Sequence, residues 1–480
     1  MSKAYAAVNL GRAGGQMVLA EVKDKQVEVK DSLGFKNHFV FKDDHDRWDM
    51  DALAKQVLQG LEQFKTAGYD QLILGVDSSQ LGLVMLDRKG RKIQDPISYR
   101  DWNNKALGKK LALKPEISAE EYFRQTGVQF SKLAALYHKC KEDKFQFDKA
   151  AKVLTVPDYL NYVLTGKKRN EKTSTALIRA LFDNAELFDN DLPRELHLSR
   201  EMLCRQVEPG KVLGPLKDNL GDYDLPETEV VATPGIAAIC RLSALPLKDE
   251  TLVVEVGHRS LMGIAGQKNL ASQAAGKAGY SGWTSAAGSL LMRFLPGTGL
   301  IHDLAWNAAH QQNLNSFVAQ TGSIRDFDSL VDWTQADLKQ TNAKKFIQDY
   351  CRKTGQKVPQ EPVALMQTLM SSLALTYAAQ VKILEKIAGR SFASLEVSND
   401  HPELEAELEP FFQLLSDLTG RRIVLVPAGA AARGNISFMA RTRKADLEIS
   451  DEDCRIFEPQ EDLSAETARF EDFVKKQGQA

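Results

Sequence analysis

Three short segments carry residue types that could do chemistry, and each suggests contact with a phosphate or a polar ligand. Gly11-Arg-Ala-Gly-Gly15 is a glycine-rich turn whose backbone N–H groups could hold a phosphate, although it matches neither Walker A nor a GxGxxG before a helix. Glu255 and His258 place a carboxylate near an imidazole, a combination that serves as acid or base near neutral pH. Arg100 and Asp101 are a polar pair suited to hydrogen-bonding a polyol.

Each of these segments also has an ordinary structural interpretation. The turn at 11–15 has the composition of a common hairpin turn, and His258 fits an exposed hairpin residue. Arg100 and Asp101 fit a buried ion pair within one domain equally well. Only the position of each segment in the fold can distinguish the functional interpretation from the structural one.

The hydrophobic pattern of the first ninety residues predicts β-β-β-α-β-β. Apolar runs predict four of these strands, at residues 4–10, 17–22, 72–76 and 83–86. Apolar residues at spacings of four, four and three predict the helix: Leu53, Val57, Leu61 and Phe64. Asp49 or Asp51 is its expected N-cap, and Gly68 is expected to end it.

A similar order of elements returns in the second half of the chain. Strands are predicted at 251–256, 260–265, 394–397 and 422–426, with helices over 363–387 and 402–418. The chain is therefore expected to be an α/β protein with an N-terminal domain over 1–245, a second domain over 246–455 and a C-terminal tail and helix over 456–480. Clefts at such domain boundaries commonly bind ligands.

The composition of the chain excludes several classes of function. The 480 residues include 62 Lys and Arg against 64 Asp and Glu, so the chain lacks the broad positive field that nonspecific nucleic-acid or anionic-membrane binding requires. Five cysteines without a CxxC pair indicate neither a disulfide framework nor a zinc cluster. The N-terminus lacks the pattern of a secretory signal, and we expect a cytoplasmic protein with no nucleic-acid or membrane partner.

Several motifs, in order along the chain, resemble those of the FGGY carbohydrate kinases and of their rhamnulokinase branch in particular. They are Tyr5–Leu19, Asp95–Asp101, Gly127–Phe130, Val156–Gly166, Ser260–Gly263 and Gly434–Ile436. This resemblance implies two ribonuclease-H-like domains, as in actin and hexokinase, around a central cleft that holds ATP and a sugar. It also implies ATP and Mg²⁺ as the cofactors of an active member.

The resemblance assigns roles to positions whose residues depart from the family pattern. The catalytic Asp of the family corresponds to Gly235, and its magnesium-associated Asp corresponds to Asn9. Nucleotide contacts are implied for Arg12, Ala13, Gly14, Gly15, Gln16, Gly257, His258, Ser398, Asn399 and Asp400. Sugar contacts are implied for Gln80, Arg100, Asp101, Pro234 and Ile236.

The residues that depart from the family pattern stand at the positions to which that pattern assigns chemistry. Structural motifs such as Pro157-Asp158-Tyr159 are retained. Gly235 cannot accept a proton, and Asn9 lacks the charge that Mg²⁺ prefers. Glu255 places a negative charge beside the second phosphate turn. We therefore expect a catalytically degenerate kinase that needs no cofactor and binds a sugar, a protein partner or a second copy of itself. The alternative is an active ketose or polyol kinase with a relocated carboxylate such as Glu255.

Overall fold

The computed structural model describes residues 4–11, 14–78, 82–98, 118–129, 146, 148–183, 199–245, 250–284, 288–308, 314–322, 324–325, 327–336, 342–399, 404–426, 430–445, 447 and 454–477. In chain order, the strands are β1 (Ala4–Leu10), β2 (Gly15–Lys23), β3 (Gln26–Phe35), β4 (Phe39–Lys42), β5 (His45–Trp48), β6 (Gln71–Ser78), β7 (Leu83–Leu86), β8 (Lys152–Thr155), β9 (Arg169–Glu171), β10 (Arg205–Val207), β11 (Lys211–Pro215), β12 (Glu227–Ala232), β13 (Thr251–Val256), β14 (Arg259–Gly266), β15 (Ser281–Thr284), β16 (Ser289–Pro296), β17 (Ser394–Asn399), β18 (Arg422–Leu425) and β19 (Arg455–Phe457).

The helices, also in chain order, are α1 (Met50–Thr66), α2 (Ala119–Thr126), α3 (Val156–Thr165), α4 (Lys172–Asp183), α5 (Ala237–Leu242), α6 (Gln273–Lys277), α7 (Thr298–Ala308), α8 (Leu314–Gln320), α9 (Ala343–Lys353), α10 (Pro362–Ala388), α11 (Glu409–Thr419), α12 (Ala430–Thr442) and α13 (Ser464–Gln477). Short 3-10 turns lie at Arg200–Met202 and Trp333–Gln335. Among the helices described, none is long and apolar enough to cross a membrane.

The chain divides into two compact units, and each unit takes more than one stretch of sequence. Unit 1 contains residues 1–244, 271–289 and 431–449, and unit 2 contains 245–270, 290–430 and 450–480. Two later segments, 271–289 and 431–449, therefore belong to the unit that the N-terminal half builds.

The same strand arrangement organises both units. In unit 1 the sheet order is β11-β12-β6-β1-β2-β3, with β1 antiparallel to β2 and parallel to β6, which is parallel to β12. In unit 2 the order β14-β13-β17-β18 repeats this pattern, because β13 is antiparallel to β14 and parallel to β17, which is parallel to β18. A hairpin followed by two parallel strands is thus present twice, which agrees with the expected two-domain α/β fold.

Helices cover both faces of the unit 1 sheet. Successive side chains of β1 point to opposite faces. Ala4, Ala6, Val8 and Leu10 join the core on the side of α1, whereas Tyr5 and Ala7 pack on the side of α12. The α1 stripe predicted from sequence is buried, and Asp49 caps this helix by accepting a hydrogen bond from the N–H of Ala52 at 2.9 Å.

Most predicted elements are confirmed, and three differ in an informative way. The hairpin β4–β5 was not predicted. Strand β7 pairs with β8 in a separate two-stranded sheet. The helix expected from Pro402 begins at Glu409, because Pro410 occupies its first turn, where a missing N–H is tolerated.

Candidate functional site

Gly235 lies in the short connection between β12 and α5, and its surroundings leave no room for a side chain. A Cβ atom built there would lie 2.6 Å from the Cβ of Ser174 and 3.6 Å from that of Pro157. The Gly235 carbonyl accepts a hydrogen bond from the Ser78 N–H at 3.1 Å, which fixes this connection against the end of β6. The position that the resemblance equates with a catalytic carboxylate is therefore tightly packed as glycine.

A buried carboxylate, Glu171, holds the Gly235 connection from the other side. It is 1% exposed and accepts hydrogen bonds from the Gly235 N–H at 3.1 Å and the Ser174 N–H at 2.8 Å. The N–H and hydroxyl of Thr173 supply two more, at 2.8 and 2.7 Å. Burial raises the pKa of Glu171, and these donors counteract part of that rise. Protein donors engage both oxygens of this buried carboxylate, three of them on Oε2, so Glu171 has a structural role.

Asp158 forms a buried acid pair with Glu171. Its Oδ1 accepts the Glu171 N–H at 3.1 Å, and its Oδ2 lies 3.3 Å from the donor Asn170 Nδ2. Burial, and then the charge of Glu171, raise the pKa of Asp158 from 3.8 to about 7. The segment Pro157-Asp158-Tyr159 noted in the sequence therefore supports the Gly235 connection through Glu171 and through the Pro157 side chain.

Asn9, which the resemblance equates with the magnesium-associated Asp of the family, contacts the fully buried Asp77. These residues are direct neighbours in the parallel register of β1 and β6, and Asn9 Nδ2 donates to Asp77 Oδ1. Asn435 of α12 donates to Asp77 Oδ2 at 2.6 Å. Burial raises the pKa of Asp77 to about 6, whereas the two amides and the charge of Arg241 favour its ionised form.

Close packing explains the glycines of the first hairpin. A Cβ at Gly15 would overlap the ring of Phe35, with 1.9 Å to Cε2, and a Cβ at Gly14 would lie 2.9 Å from the Phe35 carbonyl oxygen. Gln16 donates to the hydroxyl of Ser32 at 2.8 Å. These three positions are therefore explained by contacts with β3.

The second hairpin turn, Gly257-His258 in unit 2, is held by the start of α7. The Gly257 carbonyl accepts from the Thr298 N–H at 2.9 Å, and the His258 carbonyl accepts from the Gly299 N–H at 3.1 Å. A side chain at Gly299 would collide with the His258 ring, 2.7 Å from its Cε1 and Nδ1. His258 is exposed, and its ring lies against this helix end.

Strands β13 and β17 bring Glu255 beside Ser398. These residues are paired in the parallel register, and Glu255 is 8% exposed. Ser398 and Asn399 are 1% and 3% exposed, so both side chains at the end of β17 are buried. Burial of a carboxylate near a turn expected to hold phosphates is electrostatically unfavourable for that role.

Within unit 1, Pro234 and Ile236 flank Gly235. Pro234 is buried, and its carbonyl accepts a hydrogen bond from Cys240 Sγ at 2.9 Å. Ile236 is half-buried and forms an isolated bridge with Ser78. Six predicted site residues lie outside the described residues: Arg12, Ala13, Gln80, Arg100, Asp101 and Asp400.

Sequence reasoning missed Asp77 and Glu171. A signal for Asp77 was present, because this carboxylate directly follows the apolar run 72–76 that predicts a buried strand. Among the described residues, no group of three or more His, Cys, Asp or Glu side chains is arranged to hold a metal ion.

Comparisons with known proteins show the family. Residues 4–232 match the model of the FGGY family of carbohydrate kinases, N-terminal domain. The chain is 30% identical to a rhamnulokinase of Ligilactobacillus salivarius over 440 residues, 90% of this chain and 89% of that protein. It is also 30% identical to a rhamnulokinase of Lactiplantibacillus plantarum over 486 residues, 99% of this chain and 97% of that protein.

Solved structures support the fold. The xylulose kinase of Rhodospirillum rubrum superposes with a TM-score of 0.74 at 15% identity, covering 99% of this chain and 97% of that one. Plasmodium falciparum glycerol kinase with ADP gives a TM-score of 0.71 at 13% identity, covering 99% and 98%. The chain belongs to the FGGY family of carbohydrate kinases, is similar to its rhamnulokinases, and has the two-domain actin/hexokinase-like α/β fold.

Proposed function

We propose that this FGGY protein has lost efficient transfer of phosphate from ATP to a sugar and serves as a cytoplasmic sugar-binding or regulatory protein. The observation that carries the proposal is the packing at Gly235, where the family's proton acceptor is replaced by glycine and Ser174 occupies the space of a side chain. Loss of a general base lowers a rate by about 10²–10⁴-fold.

The carboxylates around Gly235 support the proposal because protein donors engage each of them. Glu171 accepts four hydrogen bonds, and Asp158 and Asp77 accept bonds from neighbouring backbone or amide groups. A base must reach the sugar hydroxyl, whereas Glu171, Asp158 and Asp77 are only 1%, 3% and 0% exposed. These three residues hold the protein together instead.

The positions expected to contact ATP and Mg²⁺ support the same interpretation. Asn9 presents its amide N–H to Asp77, and Ser398 and Asn399 are buried at the end of β17. The residues implied for the sugar side include Arg100, Asp101 and Gln80, which retain hydrogen-bonding groups for a polyol. We infer that the retained ligand is a ketose of the L-rhamnulose type, since the curated relatives are rhamnulokinases.

The alternative function is an active ATP- and Mg²⁺-dependent ketose or polyol kinase with a relocated carboxylate. The similarity to rhamnulokinases over 90% and 99% of this chain favours it. Glu255 is the candidate base because it stands beside Ser398 and two residues before Gly257.

Measurement of ADP release with Mg-ATP and a panel of ketoses, beginning with L-rhamnulose, separates these functions. We expect turnover far below the range of about 1–100 s⁻¹ that is typical of kinases. Turnover within that range contradicts the proposal. Loss of such turnover in Glu255→Gln, with the fold intact by circular dichroism, supports the alternative.

A further inference from the structure

Three distant segments of the chain meet at one buried carboxylate. Asp77 is 0% exposed, and its two oxygens accept hydrogen bonds from Asn9 on β1 and Asn435 on α12. Asn435 is 358 positions from Asp77 along the chain, so this contact ties a late segment into unit 1. We call these three residues the Asn9–Asp77–Asn435 clasp.

Backbone geometry brings the clasp together. Asn9 and Asp77 are in register on adjacent parallel strands, on the same sheet face as Tyr5, Ala7 and Ile73. The closely packed α12 lies on this face. Gly75 leaves space for it, since a Cβ there would lie 2.5 Å from Asn435 Oδ1.

Charge determines how the Asn9 amide is oriented. The opposite orientation would place an amide oxygen against a carboxylate oxygen, and two acceptors without a proton between them repel. The N–H side of Asn9 therefore faces Asp77. An Asp at position 9 would instead bring two carboxylates into contact, an arrangement that requires a shared proton or a cation.

The donor set of the clasp does not fit magnesium. Mg²⁺ prefers an octahedron of oxygen ligands, usually carboxylates, phosphates and water. Here the oxygens of Asp77 face amide N–H groups, and an amide nitrogen is not a ligand for a hard cation.

We propose that the Asn9–Asp77–Asn435 clasp is a metal-independent contact that holds α12 against β1 and β6 in unit 1. The amide of Asn9 stands where a second carboxylate would need a cation or a shared proton. The inference rests on the proposed function only in equating Asn9 with the family's magnesium-associated position. Its physical content is that this buried place holds one carboxylate, that of Asp77, and tolerates neither a second carboxylate nor Mg²⁺.

The test compares thermal unfolding of the full chain with Asn9→Asp, with the exchange variant Asn9→Asp/Asp77→Asn and with Gln16→Glu, each in millimolar MgCl₂ and in EDTA. In EDTA we expect Asn9→Asp to lower Tm by at least about 5 °C, because it buries a second negative charge. The exchange variant restores a single carboxylate, now at position 9, opposite an amide at position 77 whose oxygen can still accept from Asn435, and it should recover most of this loss. Gln16→Glu adds the same charge beside Asn9 without meeting a carboxylate and should change Tm by less than about 2 °C.

Wild-type Tm should be the same in MgCl₂ and EDTA. The inference is overturned if Asn9→Asp is as stable as wild type in EDTA, or if MgCl₂ raises wild-type Tm and Asn9→Ala abolishes that rise. If Asn9→Asp does not fold, the exchange variant decides: a folded protein supports the clasp and an unfolded one contradicts it. Stability is measured without ATP or sugar, so rapid turnover in the ADP assay would overturn the proposed function and leave this result standing.

Discussion

At the scale of single residues, close packing explains the glycine at position 235, which the resemblance equates with the catalytic Asp of the family. No positive φ enforces glycine at Gly235, so the barrier to a side chain is the packed Ser174 Cβ at 2.6 Å. The restoration of a carboxylate there should consequently depend on the residue at position 174.

We predict that Gly235→Asp alone destabilises the protein by about 1–3 kcal/mol, as overpacking of a close-packed site does. Combination with Ser174→Gly should recover much of this loss by removing the Cβ atom. Combination with Ser174→Ala, which retains that atom, should recover little. Urea denaturation of the four proteins measures the difference, and equal recovery by both partners would contradict the steric explanation.

A second residue-scale prediction concerns pH. The pKa of Asp158 is raised from 3.8 to about 7, so the folded protein binds a proton that the unfolded chain releases between these values. The stabilisation from this site is full below about pH 4 and is lost as pH rises to about 7. The difference amounts to about 4 kcal/mol at most.

Asp158→Asn should flatten the decline in unfolding free energy between about pH 4 and 7, measured by urea denaturation at several pH values. Exposed Asp218→Asn is the matched control, and it should retain the wild-type slope. An unchanged slope in Asp158→Asn would show that Asp158 titrates normally.

The residues of the candidate site were only partly predictable. Resemblance located Gly235 and Asn9, because motif order survives substitution. It did not locate Glu171, whose role depends on a contact with Gly235, 64 positions away in sequence. A buried carboxylate that accepts backbone N–H groups has no local sequence pattern.

At the scale of elements, α12 joins unit 1 through a close approach to α5. A Cβ at Gly434 would lie 1.9 Å from the Cys240 carbonyl oxygen. This oxygen belongs to the backbone, so it cannot rotate away as a side chain could. Arg443, beyond the end of α12, forms an ion pair with Glu229 on β12. The helix therefore approaches α5 closely only because position 434 lacks a side chain.

We predict that Gly434→Ala destabilises the protein by more than about 2 kcal/mol, although alanine favours a helix by about 1 kcal/mol over glycine. Gly60→Ala in α1 is the matched control, because its Cβ would meet the flexible side chain of Met17, 2.3 Å from Sδ. Gly60→Ala should lower the free energy of unfolding distinctly less than Gly434→Ala does. Equal losses in urea denaturation would argue against a rigid contact between α12 and α5.

Element prediction succeeded where capping and periodicity were strong. The long helix α10 ends at Gly389 with φ 69°, as its sequence indicated. Hairpin β4–β5 was missed because Asp43 and Asp44 both adopt positive φ, 52° and 59°, without the Asn-Gly or Asp-Gly signal of such turns. Pairing in the folded sheet, rather than local preference, imposes this turn.

At the scale of the whole molecule, the duplicated sheet is defined by buried strands rather than by the residues proposed for chemistry. Both units repeat a hairpin followed by two parallel strands, built from buried strands such as β1, β6 and β13. Substitution of a site residue at a strand end leaves those buried pairs intact. Recognition of the fold from sequence therefore gave no assurance of activity.

Ligand binding by the intact chain provides the last prediction. A ligand at about 100 times its dissociation constant stabilises a folded protein by about 2.7 kcal/mol, so binding raises Tm even without turnover. If the sugar side is retained and the nucleotide side lost, L-rhamnulose or a related ketose should raise Tm, whereas millimolar Mg-ATP should not. Differential scanning fluorimetry of the wild-type chain measures both, with galactitol and Mg-GTP as chemically matched controls. A rise with Mg-ATP alone would reverse the assignment, because the altered residues at Asn9, Glu255 and Ser398 would then lie in a working nucleotide site.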